Sequence, residues 1–129
     1  MTNLPFDMTL TDENGKVIKT FTFLSGIPLR ISDMFANLDA QGKGTEARNM
    51  FLIEMSRAPN KLTQEWLDGD DAIAEDIDKV FIKLMIRTGK LPPNAEQDFI
   101  GLTSEEIRES VRKYQIARQG EIKKKLTVQ

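Results

Sequence analysis

The residues with the chemistry to hold an ion or move a proton are concentrated in one short stretch. From Asp68 to Asp78 the chain carries six acids and no base, a density that raises the question of a calcium loop. An EF-hand loop needs acids at alternate positions, glycine at the sixth and glutamate at the twelfth. Counted from Asp68, those two positions hold Ile73 and Lys79, so the calcium reading fails. Asp70 and Asp71 read instead as the cap and first turn of a helix, where the dipole favours acids. A second string, Gln41-Gly42-Lys43-Gly44-Thr45, has the residue types of a phosphate loop ahead of a helix. The Walker pattern requires glycine, four residues, then Gly-Lys-Ser/Thr. Here Leu38 lies four residues and Asn37 five residues before Gly42, and no strand feeds the loop.

The remaining chemistry is equally thin. A helix-turn-helix over residues 45–68 would present Gln64, Glu65, Trp66 and Asp68 on its second helix, a surface that repels phosphate. Carboxylate pairs are common on the expected helix surfaces, but none stands in an apolar setting that would raise its pKa. Lys83 shares a polar stripe with Lys79 and Arg87. The 129 residues include no Cys and no His. Disulfides, cysteine metal cages, His-containing zinc sites and Ser-His-Asp triads are therefore excluded. The expectation is a protein without catalytic, cofactor-binding or metal-binding residues, acting through its surfaces.

The elements that would carry such surfaces follow from periodicity. Residues 6–24 read as a β-hairpin. Phe6, Met8 and Leu10 alternate with Asp7, Thr9 and Thr11, the signature of a strand with one buried face. Asn14-Gly15 supplies the positive φ of a tight turn. The return strand, Lys16 to Leu24, places Val17, Phe21 and Phe23 on one face and Thr20 and Thr22 on the other. Leu29-Arg30-Ile31 is a candidate third strand. Ser32 or Asp33 then caps a helix opening with Met34 and Phe35 and ending near Gly42. Thr45 caps a second helix, Glu46 to Arg57, stopped by Ala58-Pro59. Thr63 starts a brief turn holding Trp66 and Leu67.

A third substantial helix spans about Asp71 to Thr88. Glu75, Lys79, Lys83 and Arg87 recur every four residues as its single wet stripe, while Ile77, Val80, Phe81, Ile82, Leu84, Met85 and Ile86 mark a central core helix. Gly89 suits its C-terminal turn. After a Pro92–Leu102 loop, Thr103-Ser104-Glu105-Glu106 matches a capping box. The last helix runs from Ser104 towards Lys124, with Ile107, Val111 and Tyr114 as a narrow apolar seam and Gly120 weakening its far end. That seam suits a loosely docked or partner-dependent element. The fold class expected is α+β, mainly α, with an N-terminal β-hairpin packed on a bundle of about four helices. One domain over 1–129 accounts for the length: a hairpin region at 1–31, a helical core at 32–102, and a charged C-terminal helix and tail at 103–129.

Charge and compartment complete the reading. The net charge of −2 gives no sign of a grip on nucleic acid. It hides an acidic body, −5 over residues 1–103, joined to a segment of +3 over residues 104–129. No stretch is apolar enough to span a membrane. Met1–Asp7 has neither the basic start nor the apolar core of a signal peptide, so a cytoplasmic location is expected. Helix two stands out for apolar excess: Met50-Phe51-Leu52-Ile53, with Met55, leaves few polar positions beyond Glu46, Asn49, Glu54 and Arg57. Methionine fills cores, and it also lines surfaces that accept partners or a second copy of the chain.

The hairpin segment Met8-Thr9-Leu10-Thr11-Asp12-Glu13-Asn14-Gly15-Lys16, with Thr20-Phe21-Thr22-Phe23, the helical core at 71–88 and the charged C-terminal helix together resemble the tail assembly chaperones of long-tailed bacteriophages. The similarity is one of layout across most of the chain. It implies a non-catalytic factor that binds the aggregation-prone tape measure protein and helps recruit tail tube subunits around it. It also implies a second, longer form made by ribosomal frameshifting, for which Lys123-Lys124-Lys125 is the place. On that basis the expected partner contacts are Met50, Leu52, Met55, Ile107, Val111 and Tyr114, and Val111→Glu is expected to abolish partner retention while the monomer stays folded. The alternative is a small helical interaction or regulatory protein of a phage or mobile element that acts on a host protein.

Overall fold

A computed structural model describes residues 3–98, 102, 103, 105–107, 109–114, 116 and 117. The order is β1 (Pro5–Thr11), β2 (Val17–Leu24), α1 (Leu29–Ala40), α2 (Gly44–Met55), α3 (Gln64–Leu67), α4 (Ala74–Arg87) and α5 (Ala95–Asp98). A last helix, α6, is helical at 105–107, 109–114 and 116–117. The fold is α+β and mainly α, with the N-terminal hairpin packed on the helices. Helix start Ser104, Gly120 and the stretch to Lys124, with Lys123–Lys125, lie outside the described residues.

The alternation in β1 does what its period requires. Phe6 pairs with Phe23 and Met8 with Phe21 across the antiparallel ladder, and all four belong to or pack against the core. The turn differs from a two-residue Asn-Gly type. Only Gly15 takes a positive φ, +80°, and the Asp12 carboxylate accepts from the Asn14 and Lys16 backbone N–H groups at 2.9 Å each. A longer loop with one left-handed glycine results. A bulge between Leu10 and Thr11 pairs Leu10 with Lys19 but Thr11 with Val17. The extra residue turns Val17 away from the buried face, leaving it 55% exposed.

The second edge of β2 is taken by a segment that carries no strand periodicity. Arg57 N–H donates to the Thr22 carbonyl at 2.7 Å, Thr22 N–H donates to Asn60 at 3.1 Å, and Phe23 bridges Ser56. Thr22, expected on the wet face, is consequently buried. Its hydroxyl donates to Asp7 at 2.6 Å and accepts from the Asn60 amide at 3.2 Å. With that edge occupied, Leu29-Arg30-Ile31 forms no third strand but the first turn of α1. Pro28 starts the helix, so neither Ser32 nor Asp33 caps it. The spacing of Ile31, Phe35 and Leu38 supports the longer helix, since all three fall on one face.

The other boundaries move for local reasons. Gly42, at φ +76°, ends α1 in a left-handed turn, and α2 starts directly at Gly44 with Lys43 rather than Thr45 at its N-cap. Helix α2 ends at Met55, not Arg57, because Arg57 is drawn to the sheet edge. Helix α4 starts at Ala74, so Asp70 and Asp71 lie in the turn before it, and its first-turn acids are Glu75 and Asp76. Its stripe of Glu75, Lys79, Lys83 and Arg87 is exposed, as the four-residue spacing requires. Gly89, at φ +81°, closes its C-terminal end. The capping box forms: Thr103 N–H donates to the Glu106 carboxylate at 3.1 Å, and Glu106 N–H donates to the Thr103 hydroxyl at 3.2 Å.

The helices meet at three rings. Phe35 of α1, Phe51 of α2 and Phe81 of α4 have centroids 5.6, 6.0 and 5.8 Å apart. Arg48 of α2 reaches Asp78 of α4 at 2.9 Å, with both side chains close to nine-tenths buried. Ser56, fully buried, ties the end of α2 to the chain beyond it. Its hydroxyl donates to the Ile53 carbonyl at 2.7 Å and accepts from the buried Leu62 N–H at 3.0 Å. Ser56→Ala leaves that N–H unsatisfied and should cost about 2 kcal/mol in chemical denaturation.

Candidate functional site

Ser56 and Lys61 have the residue types of a nucleophile and a base, and the Lys61 ammonium donates to the Ser56 hydroxyl at 3.0 Å and also to the Ile53 carbonyl. Burial holds the Lys61 ammonium below the ordinary lysine value; Glu54 opposes this and Arg57 adds to it. Ser56 is fully buried and its hydroxyl is engaged on both sides, so no substrate reaches it. The pair closes a helix end. Because the folded chain gives up the Lys61 proton more readily than the unfolded chain, stability rises as pH approaches 10.5. Lys61→Met should lose this small alkaline gain, read as the difference between the variant and wild-type denaturation midpoints at neutral and alkaline pH.

The acidic stretch is dispersed rather than convergent. Asp68, Asp70 and Asp71 are exposed in the turn after α3, Glu75 is exposed on α4, and Asp78 faces inward to Arg48. Among the described residues no group of three or more acids is placed to hold a metal ion. The Gly42–Thr45 string joins two helices, with no strand leading into it. Among the described residues no helix is long and apolar enough to cross a membrane.

The six expected contact residues separate into two groups. Leu52 and Met55 are fully buried in the core, and Ile107 and Val111 retain 4% and 2% exposure against it. Tyr114 is half-buried and packs on the same cluster. Arg112 adds an ion pair to Asp39 of α1 at 3.3 Å. The α6 seam is thus docked on the core instead of loosely held, because Ile107 and Val111, four residues apart, fall on one helix face. Val111→Glu therefore cannot be a silent surface change.

Met50 is the residue that remains available. It lies on an open groove of about 420 Å³ between α1, α2 and α3. Leu38, Met50 and Ile53 supply its apolar lining, and Glu46, Asn49, Glu54 and Gln64 its polar part. The spacing of Glu46, Met50, Ile53 and Glu54 puts these side chains along one stripe of α2. That helix therefore has two apolar faces: Phe51, Leu52 and Met55 turned inward, Met50 and Ile53 turned to the groove. A run of consecutive apolar residues blurs the two, so the sequence alone did not separate Met50 from Leu52 and Met55. The signal for the outer face was present in acids four residues before and after Met50. Leu38 and Gln64, brought in from other elements, had no such signal.

No protein-family model, curated protein or solved structure matches this chain.

Proposed function

We propose that the chain is a non-catalytic assembly chaperone of the kind its layout resembles, holding an apolar helical segment of the tape measure protein until tail tube subunits replace it. The observation that carries this reading is the open groove in which Leu38, Met50 and Ile53 lie among Glu46, Asn49, Glu54 and Gln64. A groove of this size takes a few side chains from one face of a helix. A small contact of mixed apolar and polar lining suits a hold that must later be released. Of the six expected contacts, Met50 is the one the reading keeps at its centre; Leu52, Met55, Ile107 and Val111 are buried in the core, and Tyr114 packs against it. The reading carries with it a host-cytoplasmic location and a longer frameshifted form.

Co-expression with a tape measure protein, the long helical partner the reading requires, tests this directly. Wild-type protein should keep that partner soluble and co-purify with it, and Met50→Glu should lose the partner while retaining its own thermal midpoint. A partner that aggregates equally with and without the wild-type chain would overturn the reading.

A further inference from the structure

The groove has a sign as well as a shape. Two of its lining residues, Glu46 and Glu54, are acids, and none is a base. They stand two turns apart on α2, one on each side of Met50 along the helix. Glu46 is exposed in the first turn and has no ion-pair partner among the described residues. Glu54 meets Arg30 at 3.4 Å with side chains 60% and 36% exposed, a pair that is screened and exchangeable. Glu54 also feels the Lys61 ammonium, which donates to the Ile53 carbonyl, so Glu46 is the less compensated of the two acids. Gln64, on the α3 wall, donates to Asp68 at 2.9 Å, and its neighbour Glu65 is exposed.

We propose that the groove selects an amphipathic helix whose apolar face is flanked by Lys or Arg. This rests on the reading above and names its ligand chemistry. Leucine-sized side chains seat against Leu38, Met50 and Ile53, and flanking cations one to two turns away meet Glu46 and Glu54. The apolar contact provides most of the affinity. The rim charges decide which helices are accepted, because a helix flanked by acids would set like charges against both glutamates.

The probes are two synthetic helical peptides with the same leucine face, one flanked by lysines and one by glutamates, titrated by fluorescence anisotropy into the full chain. The lysine peptide should bind about tenfold more tightly at low salt, with the gap narrowing at high salt. Glu46→Lys/Glu54→Lys should invert the preference, a result that simple loss of folding cannot produce. Met50→Glu should abolish binding of both peptides. Equal binding of the two peptides would overturn the charge selection and leave the groove as a helix site, so the functional reading would survive. Binding of neither peptide would overturn the helix-in-groove inference, while the co-expression result still judges the function separately. Self-association blocked by Met50→Glu would also overturn it, in favour of a second copy of the chain as the occupant.

Discussion

Replacing Phe81 with alanine should lower the unfolding free energy by about 4 kcal/mol, the largest effect expected of any single truncation here. Phe81 is fully buried and is the ring of α4 that touches both Phe35, at 6.0 Å, and Phe51, at 5.8 Å. Its removal deletes a large apolar side chain and leaves a cavity at the point where three helices meet. It also forfeits a stacked and an edge-on ring contact. A domain of this size has a total stability of about 5–15 kcal/mol, so the variant should be close to unfolding at ambient temperature. Urea denaturation followed by circular dichroism measures the loss. A change below about 1 kcal/mol would mean that the three rings do not form the junction of the helices.

Val111→Glu should be the second most damaging change, at about 3 kcal/mol, because it places a carboxylate where the native side chain has 2% exposure. The chain has an escape from that cost: α6 can leave the core as a unit, since among the described residues it is otherwise held by Ile107, Tyr114 and the half-exposed Arg112–Asp39 pair. Hydrogen exchange should then show lost protection over residues 105–117, while α1, α2 and α4 stay protected and the thermal midpoint falls. Retained protection over 105–117 with an unchanged midpoint would restore the original expectation that Val111 is a surface residue.

The strongly periodic parts of this fold were legible in the sequence. The inward face of β1, the exposed stripe on α4 and the Thr103–Glu106 capping box each follow from a spacing that one element satisfies by itself. The parts that were not legible depend on segments meeting from a distance. Nothing in Ser56 to Asn60 announces a strand, yet that segment occupies the β2 edge, buries Thr22 and removes the place Leu29–Ile31 would have taken. The α6 seam reads as weak because its partner surface comes from elsewhere in the chain. The groove was half visible, through Met50 and its flanking acids. Its other walls, Leu38 and Gln64, are set by how α1 and α3 pack around α2.

On the proposed function, partners are held at the groove between α1, α2 and α3, while the α6 seam stays part of the core. Hydrogen–deuterium exchange on the chain alone, and in complex with the helical protein it retains on co-expression, tests this most directly. Binding should add protection at residues 38 and 46–54 and leave exchange over 105–117 unchanged. Protection that appears over 105–117 while the groove stays as it was would contradict it.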